Sequence, residues 1–131
     1  MTLIQIVREV SLTPQESWDR LTDWERHGEF VPLTRIRLTE HGFVARTGIG
    51  RVGFDDPMDV VESRSPSYCR LVKRGRVVTG WAELSVEPLN DGSRVTWRED
   101  IHVRGTPRVL DGLTRASSTR LFSRVIDGLL A

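Results

Sequence analysis

Glu99 is the residue whose setting could support chemistry. It lies in the second of two alternating runs, Val77–Pro88 and Ser93–Arg104, joined by the turn Leu89-Asn90-Asp91-Gly92. Asn, Asp and Gly tolerate the backbone angles of a tight turn, so the pair reads as a hairpin in which opposed residue numbers sum to 181. One face then carries Val86–Val95, Leu84–Trp97, Ala82–Glu99, Gly80–Ile101 and Val78–Val103. The other carries opposed charges, Glu87–Arg94 and Glu83–Arg98 among them, which pins the register. Glu99 is the one ionisable group on the apolar face. An apolar setting raises a carboxyl's proton affinity toward values useful to an acid or base. The same residue also suits a ligand anchor or a structural partner for an arginine, and Arg120 is the expected partner.

Other chemistry-bearing residues are weaker. Asp55, Asp56 and Asp59 straddle both faces of one strand, so either Asp56 or the Asp55/Asp59 pair faces inward, and exposed rim charges are the default. His27, His41 and His102 fall on a helix end, a turn and an outer face, so no metal site is expected. Cys69 is the single cysteine, which leaves no internal disulfide and reads as a small buried hydrophobe. Gly48-Ile49-Gly50-Arg51-Val52-Gly53 matches a dinucleotide fingerprint, but Phe54-Asp55-Asp56-Pro57 follows where the motif needs a helix N-terminus, so a glycine-rich strand connection at a cavity rim is expected and no cofactor. Arginines 115, 120 and 124 recur along the last helix without interleaved aromatic residues, which points to a solvated face and not to RNA.

The elements that must position Glu99 can be read in order. Thr2–Val10 is a first strand. Thr13, Pro14 and Glu16 form a capping box with proline in the first turn, and Trp18 and Leu21 share one face of the helix that follows. Thr22-Asp23-Trp24-Glu25 offers a second box and a second short helix ending near Gly28. Strands follow at Thr34–Thr39, Phe43–Thr47, Phe54–Glu62 and Tyr68–Lys73. A turn at Arg74-Gly75 would set Leu71 opposite Val78, Cys69 opposite Gly80 and Tyr68 opposite Trp81, so Cys69 and Leu71 join the apolar face. Thr106-Pro107 opens a final helix over Arg108–Leu130 whose apolar stripe drifts. Val109, Leu110 and Leu113, continued by Ala116, Ser117 and Arg120, point one way; Leu121, Phe122, Val125 and Leu129 point another.

The 131 residues suit one domain, 1–131, with 38% hydrophobic and 28% charged residues. A net charge of +1 gives no field for nucleic acid or anionic membrane, and Lys73 is the sole lysine. No leader or apolar run suggests export or membrane insertion, so a cytoplasmic monomer or weak homodimer is expected.

Strand, two short helices, six strands and a long helix is an order that resembles the START/Bet v 1-like superfamily, and within it the polyketide cyclase/dehydrase and lipid-transport-like branch. The residues that carry the resemblance are Arg8 through Trp18 at the strand-to-capped-helix opening, Gly80-Trp81-Ala82-Glu83-Leu84 through Pro88, and Gly92-Ser93-Arg94-Val95-Thr96-Trp97. The resemblance implies an α+β helix-grip fold of about six to seven strands curved around the C-terminal helix, with an apolar cavity between them. Trp24 and Phe30 would form its lid, as the resemblance implies, or belong to the core. The expected function is binding of a small, mostly apolar molecule by Cys69, Leu71, Val78, Leu84, Trp97, Ile101, Val103 and Leu113, oriented by Glu99 with Arg120. The alternatives are a cyclase- or dehydratase-like enzyme that uses Glu99 as acid or base, and a regulatory interaction module without a ligand.

Overall fold

The computed structural model describes residues 2–105 and 111–131, with the side chains of Thr2 and of residues 111–114 outside the description. Seven antiparallel strands form one sheet in the order β1-β7-β6-β5-β4-β3-β2. They are β1 (Thr2–Val10), β2 (Thr34–Leu38), β3 (Gly42–Ile49), β4 (Val52–Arg64), β5 (Tyr68–Arg74), β6 (Val78–Leu89) and β7 (Gly92–Val103). Helix α1 (Pro14–Leu21), helix α2 (Trp24–His27) and a 3-10 turn (Gly28–Phe30) link β1 to β2, and α3 (Asp111–Leu130) ends the chain. This is the expected α+β helix-grip architecture. Among the described residues no helix is long and apolar enough to cross a membrane.

The capping box at α1 forms on both sides. Thr13 Oγ1 accepts from the Glu16 backbone N–H at 3.1 Å, and the Thr13 N–H donates to Glu16 Oε1 at 3.2 Å. The cap fixes where α1 starts, so Trp18 and Leu21 are buried against the sheet. A second polar anchor holds the same junction. Ser93 Oγ donates to the Leu12 carbonyl at 2.9 Å, so the 2.7 Å contact between Ser17 and Ser93 hydroxyls uses the Ser17 proton. The second predicted box does not close. Asp23 caps α2 without a side-chain hydrogen bond, and α2 is a single turn.

The β6–β7 register sums to 181 throughout, as expected from the turn. The β5–β6 register differs. Leu71 pairs with Ala82, Cys69 with Leu84 and Tyr68 with Ser85, because the loop is wider than a turn at Arg74-Gly75. Leu71 therefore does not meet Val78, nor Cys69 Gly80, and the Tyr68–Trp81 pair is replaced by an arginine ring contact, with the Arg70 guanidinium 4.9 Å from the Trp81 ring centre. The offset is even, so every side chain keeps its face. It also sets Lys73 opposite Gly80.

The core lies between the sheet's concave face and α1 and α3. Ile4, Leu71, Leu84, Val95, Val125, Ile126 and Leu129 are almost completely buried there. On α3 the inward stripe is Ser118, Leu121, Phe122 and Val125, while Ala116, Ser117 and Arg120 are exposed. The drift in the apolar pattern thus resolves toward the C-terminal half. The Thr106-Pro107 start, Val109, Leu110 and the side chain of Leu113 lie outside the described residues.

Candidate functional site

A cavity of about 230 Å³ opens between the inner face of β3–β7 and α3. Its wall is mostly apolar, with Phe43, Phe54, Leu71, Ile101, Leu121 and Phe122 among its residues. Strand alternation explains the wall. Once Glu99 faces inward on β7, so do Trp97, Ile101 and Val103; once Leu71 does on β5, so does Lys73.

Four ionisable side chains meet this wall. Glu99 is 0% exposed, flanked by Ala82 on β6 and Ile4 on β1. Neither of its carboxyl oxygens has a hydrogen-bond partner among the described residues. Burial pushes its proton affinity up to about 7 from an ordinary 4.5, with the Lys73 charge and the nearby Trp97 N–H pulling down and Asp56 pushing up. Trp97 Nε1 lies near enough to favour the carboxylate, but it too is buried without a partner of proper geometry. Lys73 is 6% exposed and sits 3.0 Å from Asp56 Oδ2 and 3.5 Å from Met58 Sδ. Asp56 Oδ1 is buried without a partner among the described residues. His27 Nε2 faces the Leu21 carbonyl at 2.8 Å, so that nitrogen carries the proton. Burial and, to a smaller extent, the Lys73 charge hold the His27 pKa below its usual 6.5, with the Leu21 carbonyl and Asp23 opposing. The ring is therefore neutral at physiological pH, and its Nδ1 is left as an acceptor.

These placements correct several expectations. The charge beside Glu99 is Lys73 and not Arg120, which is exposed on the solvent side of α3 because the inward stripe runs through Leu121 and Phe122. Asp56, not the Asp55/Asp59 pair, faces inward; Asp55 pairs with Arg46 at 3.4 Å and Asp59 with Arg74 at 2.7 Å. His27 is on the wall although it ends a helix, because α2 is one turn long and its last residue packs toward Phe43 and Trp97, at ring-centre distances of 6.5 and 6.2 Å. Cys69 and Leu84 are packed into the core beneath the wall and do not line the cavity, and the Cys69 thiol is pushed up to about 12 by burial. Trp24 stacks on Phe43 at 5.1 Å, one layer behind the wall, and Phe30 packs over Gly128 of α3. Leu71, Val78, Trp97, Glu99, Ile101 and Val103 line the cavity.

The Gly48–Gly53 stretch is the tip of the β3–β4 hairpin, with Gly48 paired to Gly53 and Gly50 at φ 57° in the turn. No helix follows it, so the phosphate-binding geometry is absent there. Its flanking Thr47 and Phe54 do reach the cavity.

Lys73 is an unexpected member of this wall. Its signal was present: it shares parity with Cys69 and Leu71 on β5, and it is the sole lysine in a chain that otherwise uses arginine.

A curved antiparallel sheet gripping a C-terminal helix, with an apolar cavity between them, defines a helix-grip protein of the START/Bet v 1-like class. The chain belongs to the polyketide cyclase / dehydrase and lipid transport family, whose model matches residues 1–131. No curated protein sequence matches it. Among solved structures, a conserved protein from Geobacillus kaustophilus is 18% identical, with 97% of this chain and 94% of that chain covered at a TM-score of 0.72. Ara h 8.0201, of the Bet v 1 type, is 10% identical over 98% of this chain and 97% of its own, with a TM-score of 0.69. DynU16, a protein from the dynemicin biosynthetic locus, is 14% identical over 98% of this chain and 47% of its own, with a TM-score of 0.64. At such identities the likeness establishes the fold alone. A hydrophobic ligand pocket is what the family and the fold support.

Proposed function

We propose that this protein binds a small, mostly apolar molecule with one polar head, the body held against Leu71, Ile101, Val103 and Leu121 and the head turned to Glu99. The observation that carries this reading is the unmet hydrogen-bonding capacity of polar groups in the wall of an apolar cavity. Both Glu99 oxygens, Asp56 Oδ1 and Trp97 Nε1 are buried and unpartnered among the described residues. Each such group costs about 1–3 kcal/mol relative to a satisfied one, a cost that a matching ligand removes. Size bounds the ligand as well. A dry cavity of about 150 Å³ takes benzene, so 230 Å³ corresponds to roughly nine non-hydrogen atoms. Native mass spectrometry of gently purified protein tests the reading. A consistent extra mass that leaves on denaturation, or saturable uptake of small aromatic molecules, supports it; a protein that is bare in every preparation and takes up none counts against it.

The same carboxyl supports a second reading as an enzyme of the cyclase or dehydratase kind. A group whose proton affinity lies near neutrality, with Lys73 beside it, is suited to giving and taking a proton. Under that reading Glu99→Gln keeps ligand affinity and abolishes turnover.

A further inference from the structure

We propose that the head group this cavity selects is a primary ammonium, so that the ligand is a small amine with an apolar body. The inference rests on the cavity reading above and sharpens it.

Counting the unsatisfied atoms leads to it. With Glu99 ionised, the wall holds three buried acceptor atoms without a donor among the described residues (Glu99 Oε1, Glu99 Oε2 and Asp56 Oδ1), against one donor, Trp97 Nε1, without an acceptor. The deficit is of donors, and an ammonium brings three N–H groups and no acceptor. Charge gives the same answer independently. Asp56 and Lys73 neutralise each other at 3.0 Å, and the ionised Glu99 carboxylate then stands one positive charge short.

The groups facing Glu99 from each neighbouring element do not supply that charge. β5 gives Lys73, already held by Asp56 of β4; β6 gives Ala82 and β1 gives Ile4, both uncharged. α2 gives His27, neutral because burial opposes its protonation. From the described part of α3 come Ser118, Leu121, Phe122 and Val125, while Arg120 and Arg124 are exposed. Phe43, Phe54 and Trp97 add aromatic wall, which favours a cation over an anion. A carboxylate ligand would bring a second uncompensated charge and no donor. A neutral alcohol would satisfy one acceptor of three.

In the empty cavity the proton on Glu99 is the competitor. An alkylammonium keeps its charge up to about pH 10, so across neutral pH only the carboxyl titrates on this side of the equilibrium. Amine affinity must therefore fall as pH drops and Glu99 takes up its proton.

Isothermal titration with three probes of one body tests this: 2-phenylethylamine, 2-phenylethanol and phenylacetate, each close to the cavity's capacity. At about pH 8 the amine is expected to bind roughly tenfold or more tightly than the alcohol, as hydrogen bonds to a charged group require, and phenylacetate more weakly than either. Below about pH 7 amine affinity is expected to drop nearly tenfold per pH unit while alcohol affinity stays level. In Glu99→Gln the amine loses its advantage, and retained alcohol binding shows that the cavity is intact. An alcohol that binds as tightly as the amine to the unaltered protein, an amine affinity level across the pH range, or an amine advantage that survives in Glu99→Gln overturns the ammonium inference while leaving the cavity reading standing. Failure of all three probes to bind overturns both.

Discussion

Replacing Glu99 with glutamine isolates the energetic cost of the buried carboxyl. Burial holds its proton affinity at about 7 against an ordinary 4.5. Between those values the folded protein binds the proton more tightly than the unfolded chain, so stability from this group is full below the unfolded value and is lost as pH rises to about 7. The gap of 7 minus 4.5 corresponds to roughly 3 kcal/mol at 1.36 kcal/mol per pH unit. His27 acts in the opposite sense. Its folded pKa is held below 6.5, so its contribution is lost as pH falls below that value. The two partly cancel in the unaltered protein, and the difference between Glu99→Gln and the unaltered protein removes the His27 part. Urea unfolding of both across about pH 4 to 8 should show the variant gaining on the unaltered protein as pH rises, by roughly 3 kcal/mol in total, or about 10 °C in melting temperature. A difference that is flat across this range would refute the claim that Glu99 is a buried acid without a full counter-charge.

Lys73→Met removes the charge that favours ionised Glu99 and leaves Asp56 buried without its partner. The Glu99 carboxyl midpoint, followed by carbon-13 NMR, should move upward from about 7, and stability at neutral pH should fall by about 3–5 kcal/mol, read by urea unfolding. Gly80 has φ 130°, and a Cβ there would lie 1.9 Å from the Asp100 carbonyl oxygen. Gly80→Ala should therefore force β6 from β7 beside Glu99 and cost on the order of 3 kcal/mol, read as a lower urea midpoint. Ser93→Ala removes both the bond to Leu12 and the acceptor of the fully buried Ser17 hydroxyl. It should destabilise by about 1–3 kcal/mol, with faster amide exchange at the start of α1.

Much of the fold is readable in the sequence because its signals are local. The Thr13–Glu16 capping box and the Asn90-Asp91-Gly92 turn each fix an element's start or register within a few residues, and both form. The inward direction of Glu99 follows from the same turn by strand parity. What the sequence conceals depends on the width of a loop or on packing between distant elements. The β5–β6 loop has no strong turn pair to set its register, which lies four residues from the expected one with the same parity. Asp56 could not be told from Asp55 and Asp59 until the β3–β4 hairpin set its register around Gly48 and Gly53. The partner of Glu99 is a matter of tertiary packing. A helical stripe containing Arg120 points to α3, whereas the charge comes from Lys73 on the strand next but one to β7. His27 reaches the wall only because α2 stops after one turn.

The central claim is that a small molecule occupies the space between sheet and α3, with its head at Glu99. Intermolecular NOEs between bound 2-phenylethylamine and methyl-labelled protein test it most directly. The account predicts contacts from the ring to the methyl groups of Leu71, Ile101, Val103 and Leu121, and from the aminomethyl protons to the region of Glu99 and Trp97. Contacts instead to the exposed Leu3, Leu33 or Val61, or none to the cavity methyl groups under saturating ligand, would contradict it.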